Sequence, residues 1–263
     1  MMKDPKTNPI GVFDSGVGGV TVLRELVRLM PAEDYLFLGD SAHAPYGTKS
    51  PEEVLALSRQ NVDRLLSRGA KEIVVACNTA TAVGIDALRR LYPDVPVIGI
   101  EPALKPAALE NEGKRVLLMA TPLTLNLERV AMLRQRFENV ARVEILPCRG
   151  LAELIEAGHL DDEALDAYLA GLFSGVDRES VSAVVLGCTH YPHILPALAR
   201  RFPPAVRFYD GGAGTARRAR DVLRERDLLR PEGGRGTVEF FSTDPSPAAL
   251  QRAKALLDRS LSQ

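Results

Sequence analysis

Nine short apolar runs, separated by segments of helix length, restrict this chain to an alternation of strands and helices. The runs are Ile10–Phe13, Tyr35–Leu38, Glu72–Ala76, Val95–Ile100, Val116–Ala120, Val143–Leu146, Ala183–Leu186, Val206–Tyr209 and Val238–Phe241. Several are apolar at every position, the pattern of parallel strands covered on both faces. Helix starts are readable between them. Ser50-Pro51-Glu52-Glu53 combines a capping box with proline at the first helical position, and Ser246-Pro247 opens the last helix the same way. The alternation predicts an α/β fold with a mainly parallel sheet. Nine strands are many for one small sheet, and Glu101-Pro102 and Asp210-Gly211-Gly212 are points where the chain can cross between two domains. Pro231–Gly236 reads as a surface loop.

Charge excludes several classes of partner. The 33 Lys+Arg and 34 Asp+Glu residues leave a net charge of −1, without the basic excess of a nucleic-acid binder. An anionic membrane surface has no more reason to attract the chain. With 46% hydrophobic and 25% charged residues, the composition is that of a folded globular protein. The polar N-terminus is followed by no signal-like apolar stretch, and the longest apolar runs are strand-sized, far below the ~20 residues of a spanning helix. A cytoplasmic location is the expectation. The three cysteines, Cys77, Cys148 and Cys188, are too few and odd in number for a disulfide framework.

Two of those cysteines share a local pattern. Ile73-Val74-Val75-Ala76-Cys77-Asn78-Thr79-Ala80 and Val184-Val185-Leu186-Gly187-Cys188-Thr189-His190-Tyr191 each run from a buried strand through a small residue to cysteine and two polar residues, and lie 111 residues apart. In parallel α/β sheets ligands bind beyond the carboxyl ends of strands. Both thiols are predicted there, each at the start of a helix, whose free N–H groups favour thiolate and bind carboxylates. A single cysteine at a strand end is most simply a packed core residue. The duplication, and the polar pairs Asn78-Thr79 and Thr189-His190, argue otherwise, because buried polar groups need partners.

Two thiols facing one pocket suit a defined chemistry. Moving a proton off one face of an α-carbon and returning one to the other face needs an acid and a base on opposite sides, each able to play either part. Cysteine, with an ordinary pKa of about 8.5, serves both roles. Phe13-Asp14-Ser15-Gly16-Val17-Gly18-Gly19 follows the first strand as a glycine-rich turn. It places Thr21 where a dinucleotide fingerprint needs its third glycine, and is read instead as an anion-binding turn that projects Asp14 and Ser15. The Gly39–Ser50 loop lacks the spacing of a P-loop. Its Tyr46-Gly47 offers a hydroxyl and a close-approaching amide, and His43 lies in the same loop. Cys188-x-His190-x-x-His193 has donors suited to zinc, but no second Cys/His cluster accompanies it; no metal is expected.

These segments resemble the glutamate racemases of the aspartate/glutamate racemase superfamily. The resemblance rests on Asp14-Ser15-Gly16-x-Gly18-Gly19, Pro45-Tyr46-Gly47, Ala76-Cys77-Asn78-Thr79-Ala80 and Gly187-Cys188-Thr189-His190-Tyr191-Pro192. Supporting matches are Lys105-Pro106-Ala107, Thr121-x-x-Thr124, Leu154-Ile155-Glu156-Ala157-Gly158 and Asp210-x-Gly212. His190 favours the glutamate branch over the aspartate branch. The resemblance implies two similar α/β domains with mainly parallel sheets flanked by helices and an active site in the cleft between them. The first comprises residues 1–100 plus 211–263 and carries Cys77; the second, residues 101–210, carries Cys188. It implies cofactor-independent, two-base racemisation of L- and D-glutamate, supplying D-glutamate for peptidoglycan, by a homodimer. Cys77 would act on the D-enantiomer and Cys188 on the L-enantiomer, with Asp14 and His190 assisting. Asp14, Ser15, Tyr46, Gly47, Asn78, Thr79, Thr121, Thr189 and His190 would hold the substrate, and Glu156 matches a family acid. His43, Gly211 and Pro122 depart from residues common in the family at those positions. A racemase of another small amino acid such as aspartate, or a small-carboxylate binding protein on the same scaffold, are the competing readings.

Overall fold

The computed structural model describes residues 4–261. By their contacts the residues form two compact units, Met1–Glu101 with Gly212–Gln263, and Pro102–Gly211.

The first unit opens with β1 (Ile10–Asp14), α1 (Val20–Leu29) and β2 (Tyr35–Gly39). There follow α2 (Pro51–Leu66), β3 (Glu72–Val75), α3 (Asn78–Leu91) and β4 (Val97–Gly99). The second unit contains α4 (Leu104–Glu110), β5 (Arg115–Ala120), α5 (Pro122–Asn126), α6 (Glu128–Gln135) and β6 (Arg142–Pro147). It continues with α7 (Leu151–Glu156), α8 (Glu163–Leu172), β7 (Val181–Leu186), α9 (Leu195–Ala199) and β8 (Arg207–Asp210). The chain then returns to the first unit with α10 (Gly212–Glu225), β9 (Val238–Ser242) and α11 (Pro247–Leu261).

The nine expected strands form, divided between two sheets. Their order is β4-β3-β1-β2-β9 in the first unit and β6-β5-β7-β8 in the second, and every pairing is parallel. Position in the sheet explains the hydropathy of each strand. Every residue of the interior strands β1, β2 and β3 is buried, because such strands lose water from both faces. The edge strands β6 and β9 keep exposed residues among intermediate ones, and their sequences are correspondingly mixed.

The start of α2 follows the cap expected. The Ser50 hydroxyl accepts the Glu53 N–H at 3.2 Å and Pro51 takes the first helical position of α2. α1 packs against α10 and α11, while α2 packs against α3 and β1. In the second unit one apolar cluster joins Met119, Leu151, Ile155, Val184, Tyr191 and Leu198. It seals the floor beneath the carboxyl ends of β5 and β7.

Candidate functional site

In the first unit the carboxyl ends of β1 and β3 bring Asp14, Ser15 and Cys77 together. β1 ends at Asp14, which is fully buried, and its carboxylate accepts the Gly16 N–H at 3.0 Å. The turn that follows requires glycine at position 19. A Cβ there would lie 2.5 Å from the Asp14 Cβ, so a side chain at 19 and this Asp14 placement exclude each other. Cys77 occupies the N-cap of α3, and its sulfur accepts the Ala80 N–H at 3.5 Å. The thiol reaches the Ser15 hydroxyl at 3.6 Å. A helix N-terminus stabilises negative charge on such a sulfur.

Asn78 and Thr79 begin α3 and are buried. Among the described residues neither polar atom of the Asn78 amide has a hydrogen-bond partner. An unmade bond to a buried amide costs about 1–3 kcal/mol, so Asn78 carries hydrogen-bonding capacity that the described residues do not use.

Tyr46 and Gly47 start a short 3-10 helix, Tyr46–Thr48. The sequence offers the Tyr46 hydroxyl to a substrate, whereas the fold commits its proton to Asp40. Asp40, fully buried, collects three further donors. Asn61 Nδ2 lies at 3.2 Å, Thr243 Oγ1 at 2.6 Å and His43 Nδ1 at 2.8 Å. Burial works to raise the Asp40 pKa, but the bonds from His43, Thr243, Tyr46 and Asn61 win and hold it below its ordinary value. Burial, then the Asp40 charge and hydrogen bond, then the charge of Cys77, push the Tyr46 hydroxyl far above its ordinary range. Tyr46 is therefore a neutral brace for its loop. Asp40 and Asn61 were not singled out from the sequence: an acid in a polar loop and an Asn in a helix read as solvated groups, and only the fold buries both.

In the second unit Cys188 follows β7 after Gly187. The Gly187 N–H donates to Met119 O at 2.7 Å, and a Cβ at 187 would lie 2.8 Å from that same oxygen. Glycine is thus required for β7 to end against β5. The expected helix start at Cys188 is corrected here. The chain turns through a 3-10 helix, Tyr191–Ile194, and α9 begins only at Leu195. Pro192 and Pro196 account for this, since neither can donate an i−4 hydrogen bond and each ring crowds the i−4 carbonyl. Cys188 has a side-chain partner instead of an α-helix N-terminus. Its sulfur lies 3.7 Å from His190 Nδ1, and His190 Nε2 lies 2.7 Å from Glu156 Oε2 at the end of α7.

His190 is buried. Burial opposes its positive charge, but the hydrogen bonds and charges of Cys188 and Glu156 prevail and raise its pKa well above 6.5. Thr189 is buried beside it. Thr121, at the carboxyl end of β5, caps α5 by accepting the Thr124 N–H and pairs with the Thr124 hydroxyl at 2.9 Å.

Cys148 follows β6, and its thiol donates to Leu146 O at 3.3 Å. Burial drives its pKa far up, so it stays a thiol. Among the described residues no group of three or more His, Cys, Asp or Glu is arranged to hold a metal ion. No helix among them is long and apolar enough to cross a membrane.

Comparison with known proteins gives one family. The Asp/Glu/Hydantoin racemase family matches residues 10–219. A glutamate racemase of Clostridium botulinum (strain Alaska E43 / Type E3) is 42% identical over 98% of this chain and 100% of its own length. The structure of a Francisella tularensis glutamate racemase in complex with D-glutamate is similar at a TM-score of 0.82 and 28% identity, covering 96% of this chain and 94% of that one. An Escherichia coli glutamate racemase, solved with L-glutamate and the activator UDP-MurNAc-ala, is similar at a TM-score of 0.82 and 33% identity, covering 97% of this chain and 94% of that one.

Proposed function

We propose a function from this premise: the chain belongs to the Asp/Glu/Hydantoin racemase family, among its glutamate racemases. It interconverts L- and D-glutamate without a cofactor, with Cys77 and Cys188 as the two acid/base groups. The observation that carries this reading is a matched pair of seats. Each unit holds a buried thiol just past the carboxyl end of a parallel strand, in contact with a polar partner: the Ala80 N–H for Cys77 and the His190 ring for Cys188.

In the D-to-L direction the Cys77 thiolate takes the α-proton, and the Cys188 thiol gives its proton to the opposite face of the carbanion. The L-to-D direction exchanges the roles, so one proton is removed and one returned in each turnover. Asp14 assists Cys77, and His190, held by Glu156, assists Cys188. Asn78 supplies the buried amide whose capacity the described residues do not use. Ser15, Gly47, Thr79, Thr121 and Thr189 supply further hydroxyl and amide donors for the substrate's carboxylates, and Tyr46 braces the loop that carries Gly47. The enzyme acts in the cytoplasm as a homodimer, with residues 1–100 plus 211–263 and residues 101–210 as its two domains, and its D-glutamate serves peptidoglycan.

The test incubates the protein with L-glutamate in D2O, with chelator and without pyridoxal phosphate. D-glutamate carrying α-deuterium is expected. Absence of both would overturn the assignment, and faster exchange with aspartate would move it to another substrate. Alkylation provides a second check. Cys77 and Cys188 are expected to react faster than Cys148, whose thiol burial keeps protonated, and saturating glutamate is expected to slow the first two only. Equal labelling of the three would count against the thiol pair.

A further inference from the structure

We propose that a cavity beside β9, in the first unit, binds the phosphate group of a small phosphomonoester. The cavity has a volume of about 360 Å3 and is lined by Leu38, His43, Arg64, Arg68, Phe241, Ser242 and Thr243. That volume lies at the lower end of the roughly 300–1,000 Å3 of small-molecule sites and exceeds what a bare ion fills.

The lining is cationic and already positioned. Arg64, on α2, spends one N–H on Asn61 Oδ1 at 3.2 Å. Arg68, in the turn after α2, spends one on Arg64 O at 3.0 Å, and its guanidinium lies over the Phe241 ring, 4.5 Å from the centroid. Each keeps the rest of its five donors. Among the described residues no carboxylate forms an ion pair with either guanidinium. Glu239, two residues before Phe241 on β9, forms no ion pair with them. Asp40, the carboxylate behind the rim, is buried and saturated by Tyr46, Asn61, Thr243 and His43.

The rim adds a further donor. The Ser242 oxygen accepts the Asp244 N–H at 3.1 Å, which leaves its own proton to give. Beside it the His43 ring is held by Asp40, its Nδ1 2.8 Å from the carboxylate. Two guanidiniums and a hydroxyl around a space with an apolar floor of Leu38 and Phe241 match a phosphate oxyanion joined to a small organic group. The proposal rests on Arg64, Arg68, Phe241 and Ser242, none of which the racemase reading uses.

Calorimetric titration of the full chain with glycerol 3-phosphate, in the absence of glutamate, tests the proposal, with inorganic phosphate as the second probe. Saturable binding is expected, tighter for glycerol 3-phosphate, with Kd in the millimolar range or below. The double variant R64A/R68A is expected to weaken it by about tenfold or more, for the loss of charge-assisted bonds. R217A, in another arginine-lined cavity formed with Arg28 and Arg220, is expected to leave it unchanged. Circular dichroism and melting temperature establish that each variant is folded, and Arg68→Lys, which keeps the charge but loses the fork, is expected to bind at an intermediate strength. No saturable binding, equal binding by R64A/R68A, a loss with R217A instead, or binding of glycerol 3-phosphate no tighter than of phosphate would each overturn the assignment.

Discussion

Replacing Cys77 by alanine is expected to abolish racemisation in both directions, and replacing Cys188 by alanine to do the same. Acid/base catalysis by one positioned group contributes about 10²–10⁴-fold, and each thiol serves in every turnover whichever enantiomer enters. Following the optical signal of L- and D-glutamate separately measures both directions. A small-carboxylate binding protein with inert thiols predicts unchanged ligand behaviour in both variants. Cys148→Ala supplies the contrast: Cys148 is 1% exposed within the apolar cluster of the second unit, so its loss is a packing change, read in stability, and activity per folded molecule should persist. Retention of activity in either C77A or C188A within about tenfold of the parent would reject the two-thiol mechanism.

Glu156→Gln is the second change with a large expected effect, read as a shift along the pH axis. The bonds and charges of Cys188 and Glu156 outweigh burial and hold the His190 pKa well above 6.5. A group whose pKa is raised by folding stabilises the fold fully below its unfolded value and loses that contribution as pH rises through the folded value. The destabilisation caused by E156Q should therefore be largest below about pH 6.5, of the order of 1–3 kcal/mol for a buried charged group deprived of its partner, and vanish above the raised His190 pKa. Denaturant midpoints across pH measure it. Catalysis should move in the same sense. If imidazolium supports the Cys188 thiolate, the alkaline limb of the pH–rate profile falls at lower pH in E156Q. Superimposable limbs, with a uniform drop in rate, would make Glu156 a packing residue only.

Much of this architecture was legible in the sequence because interior strands leave a plain signal. The runs at 10–13, 35–38 and 72–76 carry apolar residues at both parities, and β1, β2 and β3 occupy the interior of their sheet. The seat of Cys77 was legible too, since a small residue, cysteine and two polar residues at a strand end describe a cap. Cys188 shows the limit. Its pattern matches that of Cys77 through the thiol, but two prolines downstream convert an α-helix into a 3-10 turn. The Asp40 cluster was illegible for another reason. Its members come from residues 40, 43, 46, 61 and 243, and only the placement of β9 beside β2 brings Thr243 to the others. Long-range convergence of single polar residues has no period to detect.

The unequal seats of the two thiols carry a thermodynamic consequence. L- and D-glutamate are mirror images with identical free energy in water, so their equilibrium constant is unity and the Haldane relation forces kcat/KM to be equal in the two directions. One sulfur rests on a helix-cap N–H at 3.5 Å, the other beside an imidazole at 3.7 Å. The two sulfurs of the proposed reaction thus sit in chemically different surroundings. That asymmetry cannot bias the product ratio. Any kcat difference it produces between the directions is cancelled by an equal ratio of KM values.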